Sequence, residues 1–194
     1  MIHQDITGVV LAGGNSGRMG QDKALMQVNG KSLIRYAVDI LHQVCGKVII
    51  SANKPDYLDT GCEIWPDELG KQAPMVGIYS CLKRSQNEWI AVLSCDMPLV
   101  NPLVFDLLMS NTDASKYDVV VPVHDKDCIE PLCGLYNRRV LQLLDKSIDI
   151  NQFSMQQFIM HAKHKLVRTG SFQNFYNANL FANINTPNDF DLLK

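Results

Sequence analysis

Arg18 and Lys23 flank a loop that carries Gly13, Gly14, Gly17 and Gly20. Glycines so closely spaced let main-chain amides approach a bulky anion and accept positive φ without steric cost. With two cations beside them, the natural ligand of such a cradle is a run of phosphates. A glycine-rich surface turn would account for the glycines but not for Arg18 and Lys23. Two familiar phosphate loops are excluded by spacing. The dinucleotide fingerprint needs glycines two apart, which this loop lacks. Gly30-Lys31-Ser32 supplies the tail of a Walker loop, but Leu25 stands where its leading glycine belongs.

Asp96 is the second chemically suggestive residue, because it directly follows the apolar run Ile90 to Cys95. A carboxylate there can hold a hard cation such as Mg²⁺, which is bound through one or two carboxylates plus substrate phosphates. Equally, Asp96 could cap the turn at Met97-Pro98. Lys23 would lean on an α-phosphate and Arg18 on the terminal phosphates, offsetting charge on a pentavalent species and on departing pyrophosphate. Asn53 and Asp67 (or its neighbour Glu68) could address a base. Guanine presents N1–H and N2–H₂ as paired donors, and one carboxylate can accept both. An ordinary Pro66-Asp67 turn explains the same residues.

These side chains need elements to carry them. Thr7–Leu11 is too short and too β-branched for a helix and reads as a buried strand. Lys31–Leu41 places Leu33, Ile34, Ala37, Val38 and Leu41 at helical spacing. Strands follow at Lys47–Ala52, Cys62–Trp65 and Trp89–Ser94, with a helix after Pro74 and another opened by Asn101-Pro102. Alternation of this kind predicts a mostly parallel sheet covered on both faces. The second half is less regular, with strands at Asp118–Val123, Leu132–Tyr136 and Leu166–Thr169 and a helix near Arg138–Leu144. Ser154-x-x-Gln157 reads as a capping box, and Thr186-Pro187-Asn188-Asp189 as a helix start. Ligands in such a sheet collect at the carboxyl ends of the strands. Those ends deliver, in chain order, the glycine loop, Asn53, Asp67 and Asp96.

A length of 194 residues suits one α/β domain, expected to span 1–194 with a nucleotide-binding N-terminal half and an acceptor-binding C-terminal half. A formal charge of −2 without a basic block excludes a nucleic-acid footprint. No apolar run approaches a membrane span, and no export signal is expected. The cysteines at 45, 62, 81, 95, 128 and 133 show no C-x-x-C or zinc spacing and read as reduced thiols of a cytoplasmic protein.

The stretch Leu11-Ala12-Gly13-Gly14 with Arg18-Met19-Gly20 and Asp22-Lys23 resembles the signature of nucleotidyltransferases that activate a phosphorylated substrate with an NTP. Cys95-Asp96-Met97-Pro98 is shared across that superfamily, whereas the double-glycine start and Asn183-Ile184-Asn185-Thr186-Pro187 are most similar to the molybdenum cofactor guanylyltransferases. The likeness also covers Pro66-Asp67-Glu68, Pro74-Met75-Val76-Gly77-Ile78 and Glu130-Pro131-Leu132 with Leu135-Tyr136. That resemblance implies a three-layer α/β/α Rossmann-like nucleotidyltransferase fold. It implies GTP contacts through Leu11, Ala12, Gly13, Gly14, Lys23, Asn53, Asp67 and Asp96, with Asp96 also binding Mg²⁺. Asn183 and Asn185 match positions on the pterin side of the cleft. The implied reaction is attack by the terminal phosphate of the molybdenum–molybdopterin cofactor on the α-phosphorus of GTP, with Arg18, Lys23 and Asp96 catalytic. Molybdoenzyme apo-proteins or their chaperones would be downstream partners. A cytidylyltransferase, a sugar-1-phosphate nucleotidyltransferase and a non-catalytic carrier of nucleotide or cofactor are the alternatives. Two stretches depart from the family: Gln72-Ala73 precede Pro74 where glycine is usual, and Ile148–Phe158 lacks the expected glycine and basic residues.

Overall fold

The computed structural model describes residues 2–13, 22–54, 56–113, 115–124, 127–172, 175–186 and 189. The first strand, His3–Leu11 (β1), is followed by a hairpin of Gln27–Val28 (β2) and Lys31–Ser32 (β3). This hairpin turns on Asn29 and Gly30, at φ 52° and 75°, the positive values a two-residue turn demands and Asn-Gly supplies. It takes the residues at which the helical periodicity began, so the first helix starts later, at Leu33–His42 (α1).

Cys45–Ser51 (β4), Glu63–Trp65 (β5), Pro74–Arg84 (α2), Trp89–Ser94 (β6) and Leu103–Met109 (α3) then follow as the alternation predicts. Pro74 takes the first helical position, and Asn101 Oδ1 accepts from Leu103 N at 2.9 Å. The second half contains Val119–His124 (β7), Cys128–Ile129 (β8), Cys133–Asn137 (β9), Leu141–Asp149 (α4), Met155–His161 (α5) and His164–Arg168 (β10). A 3-10 turn at Arg138–Val140, capped by Asn137, precedes α4. Only half of the expected capping box forms: Ser154 Oγ accepts from Gln157 N at 3.4 Å, while Gln157 Oε1 accepts from Gln152 Nε2.

The strands order as β10-β7-β9-β6-β1-β4-β5, with β8 on β7. Neighbours are parallel except around β9, which runs antiparallel to both β6 and β7, and at β8. Side chains alternate between two cores. Val10, Ile50, Ala91 and Leu93 pack with Ile34, Val38 and Leu41 of α1 and Phe105 of α3. Val9, Ile49 and Val92 pack with Ile78 and Leu82 of α2, Leu144 of α4 and Ile159 of α5. The central strands are therefore apolar on both faces, as burial beneath two helical layers requires. All six cysteines are free thiols, buried except Cys128. Among the described residues, no helix is long and apolar enough to cross a membrane.

The chain leaves β1 toward β4 and β5, then returns to the other side of β1 as β6. Strand order thus reverses between β1 and β6, and a crevice opens at their carboxyl ends.

Candidate active site

Leu11 pairs with Ser94, and beyond the ladder Cys95 N donates to Leu11 O at 3.1 Å. This extra bond stitches the two strand ends for one more step and sets Asp96 beside the stem of the glycine loop. Lys23 opens a 3-10 turn at Lys23–Leu25, fixed by Asp22 Oδ1 accepting from Ala24 N at 3.0 Å. From there Lys23 Nζ reaches Asp96 Oδ2 at 2.8 Å and donates to Asn185 Oδ1 at 2.6 Å. Ile184 N donates to Asp96 O at 2.8 Å, so the tail carrying Asn185 is bound to the same strand end.

The other carboxylate oxygen, Asp96 Oδ1, is buried and has no hydrogen-bond partner among the described residues. An anionic oxygen withdrawn from water without a donor is costly, and the cost disappears when a cation arrives. Asp96 therefore fits a hard divalent ion. Among the described residues no group of three or more His, Cys, Asp or Glu side chains could hold a metal by itself. One carboxylate plus phosphate oxygens is the ligand set usual for magnesium.

Asp67 and Asn53 meet at the ends of β5 and β4. Asn53 Nδ2 donates to Asp67 Oδ2 at 3.2 Å, Asp67 N donates to Asn53 Oδ1 at 2.8 Å, and Ser51 Oγ donates to Asp67 Oδ1 at 3.3 Å. Burial raises the Asp67 carboxyl above its ordinary value, against the pull of the Ser51 and Asn53 bonds. Glu68, its rival in the sequence, is exposed and pairs with Lys83 at 2.7 Å. Asp67 is thus the half-buried carboxylate with fixed neutral partners, the better acceptor for paired N–H donors. Gly77 in α2 makes this arrangement possible, since a Cβ there would lie 2.8 Å from Ser51 Oγ and 3.4 Å from Asp67 Oδ1.

The residues expected to form the site fall into two groups on one sheet edge. Lys23, Asp96 and Asn185 are in direct contact, and Asn53 pairs with Asp67. Leu11 and Ala12 lie between the groups, with Ala12 N donating to Ser51 O at 3.0 Å. Among the described residues, no atom lies within 4 Å of the position a Cβ would take on Gly13. Asn183 is exposed, its carbonyl accepting from Asn185 Nδ2 at 3.5 Å. Gly14 and Arg18 lie outside the described residues, as do Pro187 and Asn188 of the final helix start.

Two features escaped the sequence reading. Tyr57, buried, donates to Asp22 Oδ2 at 2.6 Å and lies 3.4 Å from Ala12 O. It ties the entry of the glycine loop to its exit, so Asp22 anchors the loop rather than the Lys23 side chain. His124 and Glu130, with Nε2 to Oε1 at 2.7 Å, add a further polar pair on the far side of β6. Glu130-Pro131-Leu132 belongs to the family pattern the sequence carries, but the pairing of Glu130 with His124 forms through a strand reversal and no spacing marks it.

The doubly wound sheet brings a lysine–carboxylate pair to its reversal point, where such sheets bind ligands. Residues 8–165 match the MobA-like NTP transferase domain, and the chain belongs to that family. It is 34% identical over 193 residues to a Geobacillus protein named "Probable molybdenum cofactor guanylyltransferase", covering 96% of each chain. A molybdenum cofactor guanylyltransferase of Desulfosudis oleivorans is 32% identical over 74% of this chain and 71% of its own. The fold is also that of molybdopterin-guanine dinucleotide biosynthesis protein A from Archaeoglobus fulgidus, with TM-score 0.81, 22% identity and coverage of 96% and 95%.

Proposed function

We propose that this nucleotidyltransferase transfers GMP from GTP to the terminal phosphate of the molybdenum–molybdopterin cofactor, within one domain spanning 1–194. The observation that carries the reading is the contact of Lys23 with both Asp96 and Asn185 at the reversal point. A donor-side cation, a metal-binding carboxylate and a residue of the acceptor-side tail thereby share one spot. An acceptor phosphate oxygen attacks the α-phosphorus, a new P–O–P bond forms, and the α–β bond breaks to release pyrophosphate. Lys23 contributes positive charge beside the α-phosphate as negative charge grows on its oxygens. Mg²⁺, held by Asp96 and phosphate oxygens of GTP, supplies neutralisation of the triphosphate when bound. Asp67, fixed by Asn53, accepts the paired donors of guanine, and Arg18 with the amides of Leu11 to Gly14 receives the phosphates.

With GTP, Mg²⁺ and molybdopterin loaded with molybdenum, the protein should release pyrophosphate. Asp96→Asn should lower kcat by about two to three powers of ten while leaving the circular dichroism spectrum unchanged. Full activity of that variant would remove the metal role. A panel of four NTPs tests the base: a preference for CTP or UTP would reject Asp67 as the guanine reader.

A further inference from the structure

Polar groups on the β7 side of the cleft remain unused by this mechanism. β7 lies beyond β9, and because β9 is reversed relative to both neighbours, β7 runs parallel to β6. His124, its last residue, therefore emerges on the same sheet edge as Asp96. Glu130 precedes β9 and is fixed there through its backbone: its N donates to Pro122 O at 3.0 Å and its O accepts from Cys133 N at 3.3 Å. The His124 ring stacks on Phe181, with centroids 5.3 Å apart and planes 27° apart. Phe181 belongs to the tail that brings Asn185 to Lys23. The pair is thus built into the wall of the cleft.

Glu130 and Asp67 are half-buried carboxylates on opposite flanks of the crevice: Asp67 follows β5, two strands out from β1, and Glu130 precedes β9, the neighbour of β6. Burial raises both, and the charge of Asp96 raises Glu130 further while His124 opposes. Among the described residues neither is bonded to a lysine or arginine, and Glu130 Oε2 takes no hydrogen bond. A desolvated carboxylate with no lysine or arginine beside it suits N–H donors of a neutral ring better than it suits a phosphate.

We propose that Glu130, oriented by His124, accepts the N–H donors of the 2-amino-4-oxopyrimidine edge of a pterin acceptor. The exocyclic amine and N3–H of a pterin present the same adjacent donors as N2 and N1–H of guanine. The cleft then recognises one hydrogen-bond pattern twice, with Asp67 for the donor nucleotide and Glu130 for the acceptor. This rests on the function proposed above.

The test uses pyrophosphate release from GTP with molybdenum-loaded molybdopterin, inhibited by pterin-6-carboxylate or by lumazine-6-carboxylate. Lumazine carries oxygen in place of the 2-amino group and meets a carboxylate with an acceptor. The wild-type protein should be inhibited roughly ten- to a hundred-fold more strongly by the pterin, the value of one hydrogen bond to a charged group. Glu130→Gln should bring that ratio close to one with the KM for GTP unchanged, and Glu130→Asp serves if the glutamine variant does not fold. His124→Gln, a positioning change, should lower the ratio by a smaller factor. Equal inhibition of the wild type, no inhibition by either compound, or an undiminished ratio in the Glu130 variants overturns the assignment. Absence of pyrophosphate release from the wild type overturns the proposed function and this assignment together, whereas release without discrimination overturns this assignment alone.

Discussion

Asp67 illustrates how a single side chain trades stability for recognition. Burial raises its carboxyl, so the native state takes up that proton at higher pH than the unfolded chain does. Its contribution to stability is therefore full only below the unfolded chain's value and is lost as pH rises through the native one. Guanine needs the ionised form, so GTP affinity should weaken on acidification before an ordinary aspartate would titrate. Asp67→Asn should remove this component of the pH dependence measured by calorimetry, bind GTP more weakly, and melt at a higher temperature near neutrality. A lower melting temperature would place the native carboxyl at or below its usual value. Asp96, Asn53 and Asp67 were legible as strand endings, because a polar residue after an apolar run marks an edge, and Lys23 as a cation beside the glycine loop. Tyr57 was not, since a tyrosine in a loop carries no sign of the Asp22 and Ala12 oxygens it reaches. The choice between Asp67 and Glu68 also needed coordinates, because their difference is burial and the pairing of Glu68 with Lys83.

Elements matter here through the direction in which they run. In a parallel strand the residues after it face the ligand; in the reversed β9 the residues before it do so, which is how Glu130 reaches the cleft. Sequence reading found the β9 strand but had no way to see its orientation. The Asn29-Gly30 hairpin was legible and passed over, because the helical periodicity from Leu33 onward masked a strong two-residue turn signal. β9 also depends on Gly134 for its close fit to β7. A Cβ there would lie 2.5 Å from Val121 Cγ1 and 3.1 Å from Val120 O, a backbone atom that cannot move aside. Gly134→Ala should therefore cost about 1–3 kcal/mol in urea denaturation, the usual penalty of overpacking a core. A loss under 0.5 kcal/mol would show that β9 and β7 can separate cheaply.

Across the whole molecule, the two-layer covering of the sheet followed from composition and alternation, while the placing of the reversal between β1 and β6 did not, since alternation leaves strand neighbours open. Nor did the final contact: Lys23 and Asn185 are 162 residues apart, and no local pattern reports a meeting at that separation. Ile184, fully buried beside Val28 and Leu33, holds the tail in place. Because its amide donates to Asp96 O, nucleotide binding at Asp96 should be felt there. At GTP a hundred times its Kd, hydrogen exchange at Ile184 should slow by up to about a hundred-fold, and unchanged exchange would uncouple the tail from the nucleotide. The same long tether orders events in time. A nascent chain in which residue 185 is still inside the ribosome can pair β1, β4 and β6 but cannot bring Asn185 to Lys23, so the sheet precedes the contact between them.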